Sequence, residues 1–175
     1  VYKRQSVNND SGDDWSGCRD IDHSSENVRN NYNAYLKFLL EDLGYTGFRY
    51  DMVKGYGANY VGQYNHTTKP QFSVGEYWDN SSNTKIWILK TSVDKVPQSA
   101  AFDFPFRYTV RDAANSGDWS KLQNDNNEPL NSDNRFRQYA VTFVENHDTQ
   151  KRSESEQLDP CLLYTSLSGL ARQTA

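Results

Sequence analysis

The sequence predicts an α/β fold, with parallel strands inside and helices outside, forming part of an eight-stranded (β/α)8 barrel. Three observations predict it. Short β-branched or aromatic runs alternate with amphipathic helical segments along the chain, the pattern of a parallel sheet covered by helices. Three of these runs end on a carboxylate: Asp51 in GFRYDMVKGY, Glu76 in FSVGEYWD and Asp148 in YAVTFVENHD. Buried strands ordinarily keep charge away from their ends, whereas barrels of parallel strands deliver such side chains to one rim and build active sites there. Finally, four strands are recognisable, and a complete barrel takes roughly 250 residues. The 175-residue chain is therefore read as the middle of one.

The elements follow in order. Residues 6–20, SVNNDSGDDWSGCRD, have loop composition. Ser24 or Ser25 can cap a helix with Glu26 in its first turn. Val28, Tyr32, Tyr35, Leu36, Leu39 and Leu43 recur at helical spacing, and Gly44 supplies the stop. A strand is predicted from Gly47 to Tyr50, a helix from Ala58 to Tyr64, and a strand from Phe72 to Gly75. Thr84–Thr91 reads as helix, Ser99–Phe102 as a weaker strand, and Phe106–Ala114 as a helix stopped near Gly117. The polar stretch 118–137 is irregular, with one helical turn near Trp119–Leu122, and Tyr139–Val144 is the clearest strand pattern.

Composition narrows the function classes. A net charge of −4 and a pI near 5.3 give no basic footprint for nucleic acid. No apolar run reaches membrane-spanning length. The mean hydropathy is −0.93, yet aromatic residues reach 14%, which argues for a folded, water-rich chain over a disordered one. Two cysteines, Cys18 and Cys161, make neither a disulfide framework nor a zinc site. The ends, VYKRQ at residues 1–5 and CLLYTSLSGLARQTA at residues 161–175, resemble translated adapter or cloning sequence. They are set aside, leaving residues 6–160 as the partial barrel.

The three acids suit glycoside hydrolysis, which uses a pair of carboxyl groups. Arg49 shares a strand face with Asp51. A guanidinium there favours the ionised carboxylate and fixes its orientation, as a nucleophile requires. Glu76 near an ionised Asp resists ionisation and can serve as an acid at neutral pH. Gly75 before it leaves room for substrate or backbone to approach, and Trp78 two residues on offers a face for sugar stacking. His147 can hydrogen-bond sugar hydroxyls, and Asp148 can stabilise developing positive charge. Other chemistries lack their parts. His23 and His66 are not at zinc-ligand spacing with His147, and no G-x-S-x-G elbow is present.

GFRYDMVKGY, VGEYWD and FVENHD, in this order and spacing, resemble three of the four signature segments of the α-amylase family, glycoside hydrolase family 13. AFDFPF at residues 101–106 resembles the segment around the strand between the last two. The resemblance runs from Asp10 to about Arg152 and implies barrel strands 4 to 7 with their helices and the preceding calcium-loop region. It implies Asp51 as nucleophile, Glu76 as general acid and then base, and Asp148 as transition-state stabiliser. Arg49 would orient the nucleophile, His147 would bind the sugar at the cleavage point, and Lys54 and Tyr56 would contact the leaving-group side. The implied reaction is endo-hydrolysis of α-1,4-glucosidic bonds in starch or related α-glucans, with retention by double displacement.

The Asp-rich loop resembles the structural Ca²⁺ loop of plant-type members, and hard oxygen ligands suit that ion. By that resemblance Asp10 and Asp20 would bind through side chains, and Asp13 and Gly55 through carbonyl oxygens. The expected partners are an α-glucan and Ca²⁺, with no nucleic acid and no membrane, in a monomeric parent, and the setting suggested is secreted or periplasmic. The first signature segment and final barrel strand are missing from the pattern, so the 175-residue piece itself is expected to be inactive. A transglycosylase or oligo-α-glucosidase of the same family is the alternative, and a non-catalytic starch-binding homologue is a more distant one.

Overall fold

The computed structural model describes residues 8, 12, 13, 21–123, 127–151, 157 and 158. They fall into two compact units, Val1–Trp78 with Thr84–Ala101, and Asp79–Asn83 with Phe102–Ala175. The fold class is α/β: helices alternate with the strands of a four-stranded sheet whose strand order follows the chain. Among the described residues, no helix is long and apolar enough to cross a membrane.

In the first unit, α1 spans Glu26–Glu41 and buries Leu36. Gly44 follows at φ 73, the left-handed conformation that costs a residue with a Cβ and costs glycine little. β1 (Gly47–Tyr50) pairs in parallel with β2 (Phe72–Gly75), placing Arg49 opposite Val74 and Tyr50 opposite Gly75. The connection is a short 3-10 turn at Val53–Gly55 and helix α2 (Ala58–Thr68). That helix runs four residues past the predicted Tyr64, because Asn65 is buried and bonded instead of ending it. Asn65 accepts from Tyr50 Oη (3.0 Å) and donates to Ser73 Oγ (2.8 Å) and the Gln98 carbonyl (2.9 Å). Lys69 in the left-handed region ends α2, just before Pro70. Ser73 Oγ also meets Ser99 Oγ at 2.9 Å, so one buried polar network spans α2, both strands and the approach to the third.

Helix α3 (Ser81–Lys90) begins earlier than predicted: Asn80 Oδ1 accepts the Asn83 amide at 2.9 Å, a first-turn donor otherwise unpaired. Its buried Trp87 and Ile88 face the first unit's core. β3 (Ala100–Phe102) pairs in parallel with β2, Val74 opposite Ala100 and Gly75 opposite Ala101.

In the second unit, α4 (Phe104–Ser116) starts two residues before the predicted Phe106. The reason is Asp103, wholly buried, whose side chain caps Phe106 N and also accepts the amides of Leu130 (3.1 Å) and Asn131 (3.0 Å). Gly117, φ 68, closes the helix. Val110 and Ala114 form a core with Leu158, against which Phe106, Trp119 and Val144 pack. β4 is confined to Ala140–Val141, shorter than the predicted Tyr139–Val144: Arg137–Tyr139 is a 3-10 turn. Phe143 beyond it packs edge-on against Phe102 and Phe104. Asp148 consequently sits on a turn beyond the strand, not at its end.

Candidate active site

The first unit brings Arg49, Asp51 and Glu76 together. Arg49 leaves β1 with one guanidinium nitrogen 2.6 Å from Asp51 Oδ1 and the other 3.1 Å from Glu76 Oε2. One planar cation thus bridges the acids that follow two adjacent strands. The backbone fixes both. Glu76 N donates to Tyr50 O at 2.9 Å, and Val53 N to Glu76 O at 3.3 Å. Between them Met52 takes φ 44, ψ 47, a left-handed corner unusual for a side chain of its size. This corner aims Met52 N at Glu76 Oε2, 3.2 Å away.

The two carboxyls differ in environment. The Glu76 side chain is 9% exposed and that of Asp51 66%. Burial, chiefly, raises the Glu76 pKa, and a hydrogen bond with Asp51 adds to it, while the Met52 amide and the Arg49 charge oppose the shift. The arrangement sets a buried carboxyl whose pKa is raised beside an exposed one that a cation orients.

Gly75 does not open space for substrate. A Cβ there would clash with Trp87 Cη2 and lie 2.8 Å from Cζ2 and 3.1 Å from Cζ3 of the same indole. The missing side chain instead lets Trp87, 4% exposed, pack beneath the residue that precedes Glu76. Tyr77 stacks on the same indole at 5.7 Å. Lys54 lies over Tyr77, Nζ 5.6 Å from the ring centroid. Lys54, Tyr56, Asn59, Tyr77, Trp87 and Lys90 are among the residues lining a cavity of about 440 Å³. Tyr56 is backed by His23, whose ring stacks on it at 4.5 Å and bonds Tyr64 Oη at 2.8 Å. Burial lowers the His23 pKa against the pull of Asp22, and raises that of Tyr56. Trp78 is half-buried.

Of the four predicted metal ligands, Asp10 and Asp20 lie outside the described residues. Asp13 and Gly55 are neighbours. Asp13 N donates to Lys54 O at 2.8 Å, and the Asp13 carbonyl oxygen is 3.8 Å from where a Gly55 Cβ would stand. A Cβ on Gly12 would lie 2.5 Å from Lys54 O, so only glycine lets the loop approach the Val53–Gly55 turn this closely. The Asp13 carboxylate pairs with Lys54 Nζ at 3.7 Å. No group of three His, Cys, Asp or Glu side chains suited to a metal occurs among the described residues.

The second unit carries His147 and Asp148, paired Nε2 to Oδ2 at 3.1 Å. Asn146 builds their turn: its Oδ1 accepts the amides of Asp148 (3.0 Å) and Thr149 (2.8 Å). Three features of the two units are not legible in the sequence. The Met52 corner and the Trp87 seat left no sequence signal beyond a glycine. Arg107 and Glu145, whose side chains hydrogen-bond at 3.1 Å, lie 38 residues apart, too far for strand or helix spacing to connect.

The chain is similar to "Alpha-amylase 3, chloroplastic" of Arabidopsis thaliana, 34% identical over 157 residues, 81% of this chain and 17% of that protein. It is equally similar, 34% over 154 residues, to "Probable alpha-amylase 2" of the same plant, covering 81% of this chain and 37% of the relative. "Alpha-amylase" of Bacillus licheniformis is 30% identical over 163 residues, 86% of this chain and 31% of its own length. The chain thus spans well under half the length of these relatives. No family model matches it.

Proposed function

We propose that this chain, which belongs to the α-amylase family, carries the acids of a retaining hydrolase of α-1,4-glucosidic bonds in starch-like glucans. The reading rests on the Arg49 bridge between an exposed Asp51 and a buried Glu76 whose pKa is raised. Glu76 gives its proton to the glycosidic oxygen as that bond breaks, and Asp51 attacks the anomeric carbon to form a glycosyl ester. Glu76, now ionised, takes a proton from water, whose oxygen displaces Asp51 and restores the original anomeric configuration. Arg49 keeps Asp51 ionised and oriented. Asp148 stabilises the oxocarbenium-like charge, and His147 holds the sugar at the cleavage point. Lys54 and Tyr56, which line one cavity, contact the leaving-group side, and Trp78 offers a stacking face. D51N in the whole protein should lower kcat by at least ~10³-fold. Proton NMR of the wild-type reaction should show the α-anomer first. A β-anomer product, or wild-type cleavage by D51N, would sink the assignment.

Calcium belongs to the same proposal. The close seat of Gly12–Asp13 on the Lys54–Tyr56 turn brings the peptides of Asp13 and Gly55 together, as a pair of carbonyl ligands requires. Asp10 and Asp20 would complete a set of hard oxygens. Bound there, the ion would tie the acidic loop to the turn that follows Asp51 and so hold the Lys54 and Tyr56 side of the site in place.

A further inference from the structure

Among the described residues, the second unit buries a cation that takes no part in the proposed chemistry. Arg107, on α4, is 0% exposed, and a guanidinium in that position is costly unless paired. Its Nη2 donates to both oxygens of Glu145, 3.1 Å each. Glu145 is a node for backbone as well: Oε1 accepts the Asn146 amide at 3.2 Å, and Oε2 the Leu158 amide at 3.3 Å. Asn146 carries the linkage onward through its Oδ1 to the amides of Asp148 and Thr149 and to the Thr149 hydroxyl, 3.0 Å away. Every step lies within the second unit. The origin of the linkage is rigid, because α4 is capped by buried Asp103 and packed through Val110 and Ala114 against Leu158.

We propose that Arg107 is a positioning residue which, through Glu145, fixes the Asn146–Thr149 turn and hence His147 and Asp148. The proposal rests on the reading of Asp148 as the transition-state stabiliser. A displacement of about 1 Å at such a group can cost ~10²-fold in rate. Lys at 107 would keep the charge but carry it on a flexible stem, without the planar guanidinium that fixes Nη2 between the two Glu145 oxygens.

Two measurements test it. In the 175-residue chain, hydrogen exchange at the Asp148 and Thr149 amides is compared between wild type, R107M and R107K. The expected result is exchange at least ~10-fold faster in R107M, with R107K in between. Unchanged exchange overturns the proposal. In the whole protein, R107M should lower kcat ~10- to 100-fold with little change in KM, and R107K should recover part of the loss. In a D148N background, R107M should then cost nothing further. An equal proportional loss in both backgrounds overturns the proposal, because Arg107 would then act other than through Asp148. Wild-type kcat in D148N alone removes the underlying reading of Asp148, and the catalytic claim with it, while the exchange result still judges the turn. Should R107M fail to fold, E145Q is measured in the same two ways, with the same results for and against.

Discussion

Replacing Gly75 by alanine distinguishes two purposes for that residue. The sequence suggests that it leaves room for substrate or backbone to approach, and the structure shows it clearing a seat for the Trp87 side chain. An alanine Cβ would clash first with Trp87 Cη2 and would stand 2.8 Å from Cζ2 and 3.1 Å from Cζ3, where carbon atoms normally rest about 3.5–4.0 Å apart. The indole would have to withdraw by more than about 1 Å to reach that spacing, but it is only 4% exposed and packed against Tyr77. Overpacking of this kind costs about 1–3 kcal/mol, which for a chain of this size lowers Tm by roughly 2–4 °C per kcal/mol. The strain falls on the residue before Glu76, whose amide and carbonyl tie β2 to Tyr50 and Val53. A fall in kcat of ~10- to 100-fold in the whole protein should accompany it. The assays are thermal unfolding of the chain and steady-state hydrolysis by the whole protein, with W87F as a partner substitution. Trimming the indole to phenyl should restore part of both losses in the G75A/W87F double variant, giving a favourable coupling. A G75A variant of unchanged Tm whose only defect is a raised KM would refute the packing account and restore the substrate-path reading.

Two further outcomes follow from the same geometry. Because the Glu76 pKa is raised, the native state binds this proton more tightly than the unfolded chain does. This contribution to stability is full at pH below the unfolded carboxylate value and is lost as pH rises through the folded value. With Glu76 as the proposed acid, the same deprotonation should set the alkaline limb of the whole protein's rate profile. E76Q should therefore flatten that part of the stability curve and abolish the limb with the activity, as urea denaturation and kcat/KM across pH will show; an unaltered alkaline limb in E76Q rules Glu76 out as the acid. G12A drives a Cβ against Lys54 O, so it should weaken Ca²⁺ binding to the chain at least ~10-fold by calorimetry, and equal affinity in wild type and G12A would count against the proposed carbonyl ligands.

The sequence by itself determined the alternation of helices and strands, since hydrophobic period and turn residues are local properties: Gly44 and Gly117 end α1 and α4 where their conformational freedom predicts. It also marked Asp51, Glu76 and Asp148, because charge closing an apolar run is visible without coordinates. Boundaries were decided by side chains reaching across the fold. Asn65 extends α2 by bonding Ser73 and the Gln98 carbonyl, and Asp103 starts α4 early while holding a loop 27 residues away. Only the tertiary structure decided how the acids differ. Burial of Glu76, exposure of Asp51, the bridging guanidinium, the Met52 corner and the indole beneath Gly75 all arise between elements distant in sequence. Desolvation and Coulomb interaction depend on distance in space, and a residue pattern reports only distance along the chain.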